Sequence, residues 1–346
     1  MFQIRQPHRR YNPLTGDWVL VSPHRLERPW QGSVEKEQSG SLPEYDPHCY
    51  LCPGNSRADG RKNPDYRGTY VFDNDFPALL EETGEGELNV NELILARNEY
   101  GRCRVLCFSP RHDLSLSGMD HDMIGGVVRA WTEEYTTLGS DEKINYVMIF
   151  ENRGEMMGCS NPHPHCQIWA NETVPVLPGK KSYHQLEYQQ YHGRNLLLDY
   201  CRLEMKQGER VLFQNDHFVS LVPFWAVWPY ETMLIPREHV RSLADLSGEQ
   251  AQSLADALKK QTVMYDNLFK APFPYSMGFH QAPTDGQDHE EWQLHISFLP
   301  PLLRSASVRK HMVGYELLAM PQRDITAEQA AETLRGLPKE LYSLHA

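Results

Sequence analysis

The sequence predicts an α+β protein built from two related domains. Three observations predict it: one order of features occurs twice along the chain, the two copies keep nearly the same spacing, and the composition suits two globular cores. The first copy runs from RVLCFSPRHDLSL (residues 104–116) through MIGGVVRAWTEEYTTL (123–138) to INYVMIFENRG (144–154), and closes on GCSNPHPHCQIWAN (158–171). The second runs from TMLIPREHVRSL (232–243) through EQAQSLADALKKQTVMYDNLF (249–269) to YSMGFHQAP (275–283), and closes on EWQLHISFLPP (291–301). Each copy reads as strand, Pro-Arg turn, helix, strand and a His-bearing strand, with apolar residues at helical spacing in the long middle segment. Pro110 and Pro236 lie 126 residues apart, and His165 and His295 lie 130 apart. We place the domains at residues 1–178 and 196–346, joined through the polar segment 179–195.

A chain of 346 residues, 40% hydrophobic and 23% charged, has room for two cores and is no disordered tail. It contains no apolar run long enough to cross a membrane, and its first residues, MFQIRQPHRRYNP, lack the apolar centre of a signal peptide, so a cytoplasmic protein is expected. A net charge of −12 opposes non-specific binding to nucleic acid, so an anionic ligand has to be met by a local group of basic side chains. Seven cysteines fit reduced thiols or metal ligands better than a disulfide framework.

Within the first copy, alternation along an extended strand places His163, His165, Gln167 and Trp169 on one side. Pro164, lacking a backbone N–H, argues for an edge, a bulge or a strand just beginning. The second copy has Leu294-His295-Ile296-Ser297 at this point, so the chemistry is assigned to the first. Cys49 and Cys52 in DPHCYLCPGN have the spacing of half a tetrahedral zinc site, and His112 and His163 are the natural remaining ligands. Cys103, Cys107, Cys159, Cys166 and Cys201 read as plain thiols.

The segments RRYNPLTGDWVLVSPHRLERPW, FDNDFPAL, FENRGEMMGCSNPHPHCQIWAN, PYSMGFHQAP, WQLH and PPLLRSASVRKHMVGYELL closely resemble the galactose-1-phosphate uridylyltransferase family of the histidine-triad superfamily. The resemblance implies two half-barrel domains, each an antiparallel sheet with flanking helices. It also implies a homodimer whose active sites are shared between subunits, and uridylyl transfer from UDP-glucose to galactose 1-phosphate by double displacement. The histidine matching the family nucleophile is His165, and Gln167 matches the glutamine that hydrogen-bonds the phosphoryl oxygens of the intermediate. A neutral imidazole is nucleophilic near neutral pH, and its phosphoramidate is reactive enough to pass the group on.

Arg25 and Arg28 match positions at the nucleotide-sugar site, and Asn74 and Asp75 match uridine and ribose contacts. Asn152 falls near the phosphates and hexose, and Gly158, Cys159 and Ser160 supply small residues and backbone N–H groups for phosphate. Lys310, Tyr315, Glu316 and Gln322 match the hexose- and phosphate-contacting segment, in which His311 stands where members often carry phenylalanine. The zinc pattern of Cys49, Cys52, His112 and His163 is intact. The family's second metal site, for iron or zinc, uses a glutamate and three histidines. Here His280 and His295 remain, Ser297 stands at the third histidine, and the glutamate position falls near Lys181. That site is therefore expected to be lost, with His184, His289 or Glu290 as the substitutes in reach.

Two other readings compete. Another histidine-triad nucleotidyltransferase, phosphorylase or hydrolase would use the same nucleophile with a different acceptor, and would have no need of the VRKHMVGYE segment if that acceptor were water. A non-catalytic zinc-binding protein would lose no chemical step when His165 is changed and His163 kept.

Overall fold

The computed structural model describes residues 4–27 and 42–342. In chain order the elements are β1 (His8–Tyr11), β2 (Trp18–Val21), β3 (Tyr70–Asp73), β4 (Glu87–Val90), β5 (Ile94–Arg97), β6 (Gly101–Cys107), α1 (His121–Gly139), β7 (Tyr146–Arg153) and β8 (His165–Asn171). There follow α2 (Val176–His192), α3 (Leu196–Gln207), β9 (Val211–Gln214), β10 (Phe218–Leu221), β11 (Thr232–Pro236), α4 (Gly248–Phe269), β12 (Tyr275–His280), β13 (His295–Leu299), α5 (Tyr315–Leu318), β14 (Gln322–Arg323) and α6 (Ala327–Arg335).

A nine-stranded sheet in the order β3-β6-β8-β7-β12-β13-β11-β10-β9 forms the frame, and every pair in it is antiparallel. Read outward from its centre, one half runs β7-β8-β6-β3 and the other β12-β13-β11-β10, so strands in equivalent chain positions take equivalent places. The duplication seen in the sequence is thus a pseudo-twofold about the β7–β12 pairing, where Gly278 faces Phe150 and Tyr275 faces Arg153.

The helix of each half covers the same face. In α1 the residues Ile124, Val127, Val128, Trp131, Tyr135 and Leu138 recur at helical spacing and are buried against the sheet. Helix α4 starts at a capping box in which Ser247 accepts from the Gln250 N–H and Gln250 answers to the Ser247 N–H. Both helices join one core with Ile149, Cys166, Ile168, Leu234, Phe279, Ile296 and Phe298. Trp131 locks it: its indole N–H donates to Cys166 Sγ at 3.1 Å and its ring meets Phe108 and Phe279 edge-on.

The opposite face differs between halves. On the second it is covered by a separate apolar cluster that joins Leu196, Leu197 and Cys201 of α3 to Val219, Leu221, Met233 and Ile235 of the strands. The joining segment 179–195 is mostly α2, which buries Lys181 and Gln185 on this same side. On the first half His165, Gln167 and Trp169 alternate with the core residues of β8 and stay only partly buried. A three-stranded sheet β1-β2-β14 ties residues near the two ends of the chain together. Among the described residues no helix is long and apolar enough to cross a membrane.

Candidate functional site

Strand β8 lies between β6 and β7 and begins at His165, so Pro164 ends the approach to the strand rather than interrupting a ladder. Its carbonyl still accepts from the Phe108 N–H at 3.1 Å. Alternation therefore holds for His165, Gln167 and Trp169 but does not extend to His163, whose imidazole turns into a buried cluster instead.

That cluster is Cys49, Cys52, His112 and His163, all buried, with one ligand atom of each within 4.8 Å of the others. Cys52 Sγ lies 3.6 Å from His112 Nδ1 and 3.5 Å from His163 Nδ1. Metal–sulfur and metal–nitrogen bonds of ~2.3 and ~2.0 Å at tetrahedral angles give an edge of about 3.5 Å, which these two separations match. The supports outside the cluster fit as well. His163 Nε2 lies 2.9 Å from the Ser109 carbonyl, which fixes the tautomer that presents Nδ1 to the ion. Asn161 accepts the His163 N–H at 2.9 Å, and its amide nitrogen lies 3.4 Å from Cys49 Sγ. Burial pushes the Cys52 thiol up to about 11, so a cation has to displace its proton on binding. Among the described residues this is the one grouping of three or more such side chains able to hold a metal.

Residue His165 is positioned from this cluster. Its Nδ1 lies 2.7 Å from the carbonyl oxygen of His163, so Nδ1–H donates there and Nε2 keeps its lone pair. Burial holds the imidazole below its ordinary pKa, with the bond to the His163 carbonyl opposing. Gln167 sits on the same face, and its Oε1 accepts from the Trp169 indole N–H at 3.0 Å, which leaves the amide N–H groups as its outward donors.

A cavity of about 500 Å³ opens beside His165, lined in part by Asn152, Arg153, Cys159, Ser160 and His163. This is the size of a small-molecule site. Gly158 does not line it; it ends a short 3-10 turn at φ 78°, where a side chain would be strained.

At the cavity wall a buried network escaped sequence reading. Arg153 makes two bonds to Asp266, at 2.7 and 2.9 Å, and Ser117 donates to the same carboxylate. Glu151 accepts from the Tyr275 hydroxyl at 3.1 Å, and burial pushes its carboxyl up to about 7. A carboxylate inside the apolar pattern of α4 was the available signal.

The other expected residues fall into two further groups, neither lining the cavity. Asn74 caps its own turn by accepting the Phe76 N–H, while Asp75 pairs with Arg57 at 2.9 Å. Arg25 bonds Asp324 at 3.1 Å, Gln322 bonds the same carboxylate, and Lys310 pairs with Glu316 at 2.7 Å and donates to the Gln322 carbonyl. His311 and Tyr315 beside them are exposed. Arg28 lies outside the described residues.

Two family models cover the chain. The galactose-1-phosphate uridyl transferase N-terminal domain matches residues 2–175, and the C-terminal domain of the same name matches residues 181–346. Galactose-1-phosphate uridylyltransferase of Haemophilus influenzae is 53% identical, over 97% of this chain and 96% of its own. Its counterpart in Rattus norvegicus is 48% identical, over 97% of this chain and 89% of its own. A solved uridylyltransferase structure superposes with a TM-score of 0.74 at 27% identity, covering 95% of this chain and 97% of its own. An ADP-glucose phosphorylase from Arabidopsis thaliana with bound ADP-glucose shares the fold, with a TM-score of 0.75 at 23% identity over 96% of this chain and 100% of its own.

Proposed function

This chain belongs to the galactose-1-phosphate uridylyltransferase family, and from that membership we propose that it carries a uridylyl group from UDP-glucose to galactose 1-phosphate in two displacements at His165. The observation that carries the residue assignment is the 2.7 Å contact of His165 Nδ1 with the His163 carbonyl beside the cavity. Nε2, left with its lone pair, attacks the α-phosphorus. The bond from that phosphorus to the bridging oxygen breaks, and glucose 1-phosphate leaves with the electron pair. Positive charge that develops on the ring is shared with the carbonyl through Nδ1–H. The oxygen of galactose 1-phosphate then attacks the same phosphorus, the N–P bond breaks, and the imidazole returns to its neutral form.

Gln167, with its oxygen held by Trp169, directs N–H groups at the phosphoryl oxygens and steadies them without an ion pair. Asn152, Cys159 and Ser160 line the space for the phosphates and hexose, and Gly158 sets the turn that presents them. We assign zinc to Cys49, Cys52, His112 and His163. Its role is structural: it fastens the 49–52 loop to His163, and the His163 carbonyl in turn orients His165.

Arg25, Lys310, His311, Tyr315, Glu316 and Gln322 do not line the cavity of their own chain. We assign them to the site of a second chain in a homodimer, and Asn74 and Asp75 to the uridine end. The reaction belongs in the cytoplasm, where its phosphorylated sugars are.

Mass spectrometry of the intact protein after mixing with UDP-glucose alone tests this reading. A uridylyl adduct that galactose 1-phosphate discharges, and that is absent from His165→Ala, is the expected result. Continuous release of glucose 1-phosphate with no adduct would make water the acceptor and the protein a hydrolase.

A further inference from the structure

The second half holds a site on the face that corresponds to the His165 face of the first. His280 and His295 are directly opposed across β12 and β13, and their rings stack 4.9 Å apart at 17°. The Trp292 ring continues the stack beside His295. His295 Nδ1 lies 2.9 Å from the Gln293 carbonyl, so Nδ1 carries the proton and Nε2 is an acceptor. The atom facing Nε2 is Lys181 Nζ of α2, at 2.8 Å and buried. Ser297, on the same face two residues along β13, offers a small hydroxyl. His280 Nδ1 is buried without a hydrogen-bond partner among the described residues.

This donor set does not fit the second metal ion that the family implies. An ion at His295 would need the lone pair that Lys181 already takes, and the lysine would have to surrender its proton or leave. The two imidazoles lie near-parallel with centroids 4.9 Å apart, and among the described residues no cysteine, carboxylate or third histidine joins them in a group able to hold a metal. His184, His289 and Glu290 do not repair the set: they pair with Glu187, with Asp285 and Glu291, and with Arg241.

We propose that Lys181 replaces a metal ion as the cross-link of this site, its Nζ–H donating to His295 Nε2, and that the chain in consequence holds one metal ion rather than two. The replacement keeps what such an ion would supply, a tie between α2 and the His-bearing strand. Two neighbouring bonds strengthen it: Ser182 Oγ accepts the Trp292 indole N–H at 2.8 Å, and Gln185 Oε1 accepts the Gln293 N–H at 3.3 Å. Buried Glu231 supplies the compensating negative charge, its carboxylate held by the N–H groups of Val227 and Trp228 at 2.7 and 3.0 Å. Burial draws Lys181 down to about 7 against the pull of Glu231; charged or neutral, Nζ keeps a proton to donate.

The test counts metals by elemental analysis on the full-length protein dialysed separately against Zn²⁺ and Fe²⁺, with Cys52→Ser and His295→Ala run alongside. One tightly held ion per chain, lost in Cys52→Ser and kept in His295→Ala, is expected; a second ion that disappears in His295→Ala would overturn the proposal. Lys181→Met should lower the melting temperature by several degrees with the metal count unchanged. An unchanged melting temperature would mean that the lysine ties nothing. The double variant Lys181→Glu, Ser297→His should gain one further ion, and a folded double variant that gains none would show that Lys181 is not what excludes the metal. If the double variant does not fold, the wild-type count and Lys181→Met still decide.

Discussion

The two halves of the sheet are built on one plan, yet one keeps a histidine open to a cavity and the other buries its equivalent. In the first, His165 opens on the cavity and its Nε2 meets no hydrogen-bond partner among the described residues. In the second, α2 and α3 lie over the corresponding face, and His295 Nε2 is taken by Lys181. Both histidines use the same local device, in which Nδ1 bonds the carbonyl two residues earlier, at 2.7 Å in one half and 2.9 Å in the other. A duplicated fold thus supplies the same tautomer twice, and what is packed above the ring decides whether its lone pair stays open to a cavity or is taken up inside the fold.

The largest effect should separate these two histidines. His165→Ala is expected to fold, keep its metal and lose uridylyl transfer by ~10⁴-fold or more, since the covalent step has no other nucleophile. His295→Ala should leave turnover within a few fold but cost about 2–4 kcal/mol, because Lys181 loses its acceptor in a buried place. Turnover assays set beside denaturant melts read both; a His295→Ala protein that is stable but inactive would break the comparison.

Cys52→Ser comes next. Losing a ligand should weaken metal binding by more than ~100-fold, beyond the effect of an outer hydrogen-bonding partner. The melting temperature should fall further than the rate of the chemical step, because an ion held by this cluster would reach His165 through the His163 carbonyl. Single-turnover rates at a temperature where the variant is folded distinguish the two losses.

Much of this plan was legible in the sequence. Constant spacing between the copies exposed the duplication because strand and helix lengths leave little freedom between paired elements. The metal set could be read from CxxC together with two histidines. What could not be read was the covering of the second half: α2 reaches the sheet through Lys181, Ser182 and Gln185, polar residues that give no apolar period. The Arg153–Asp266 pair joins residues 113 apart, and a charged residue in an apolar pattern does not announce its partner. The division of the expected binding residues into three separate groups likewise depends on tertiary placement. Gln322 and Arg323 reach β2 only through the chain's folding back on its start.

A moderate effect is expected at Glu151, the buried carboxyl beside the cavity. In the folded chain it keeps its proton up to about 7, whereas unfolded it loses it near the ordinary 4.5. Between those values unfolding releases a proton, so raising the pH lowers stability across that window, by roughly 3 kcal/mol at full extent, and adds nothing further above it. Glu151→Gln cannot ionise in either state. Its melts should lack this part of the decline, and a pH profile identical to the wild type would show that the carboxyl is already ionised in the fold.

The smallest effect tests how the first half orients its donor. Gln167 has its oxygen tied to the Trp169 indole N–H, and Trp169 also meets Phe150 edge-on. Trp169→Phe keeps the ring and removes the N–H, so the carboxamide can turn over and present oxygen where N–H groups are needed. One neutral hydrogen bond contributes about 0.5–1.5 kcal/mol, which corresponds to a slowing of roughly two- to tenfold. Formation and discharge of the adduct should slow alike, because the same oxygens are steadied in both displacements, while the melting temperature changes little. Slowing of the first displacement alone would place the amide on the departing sugar phosphate instead of on the transferred group.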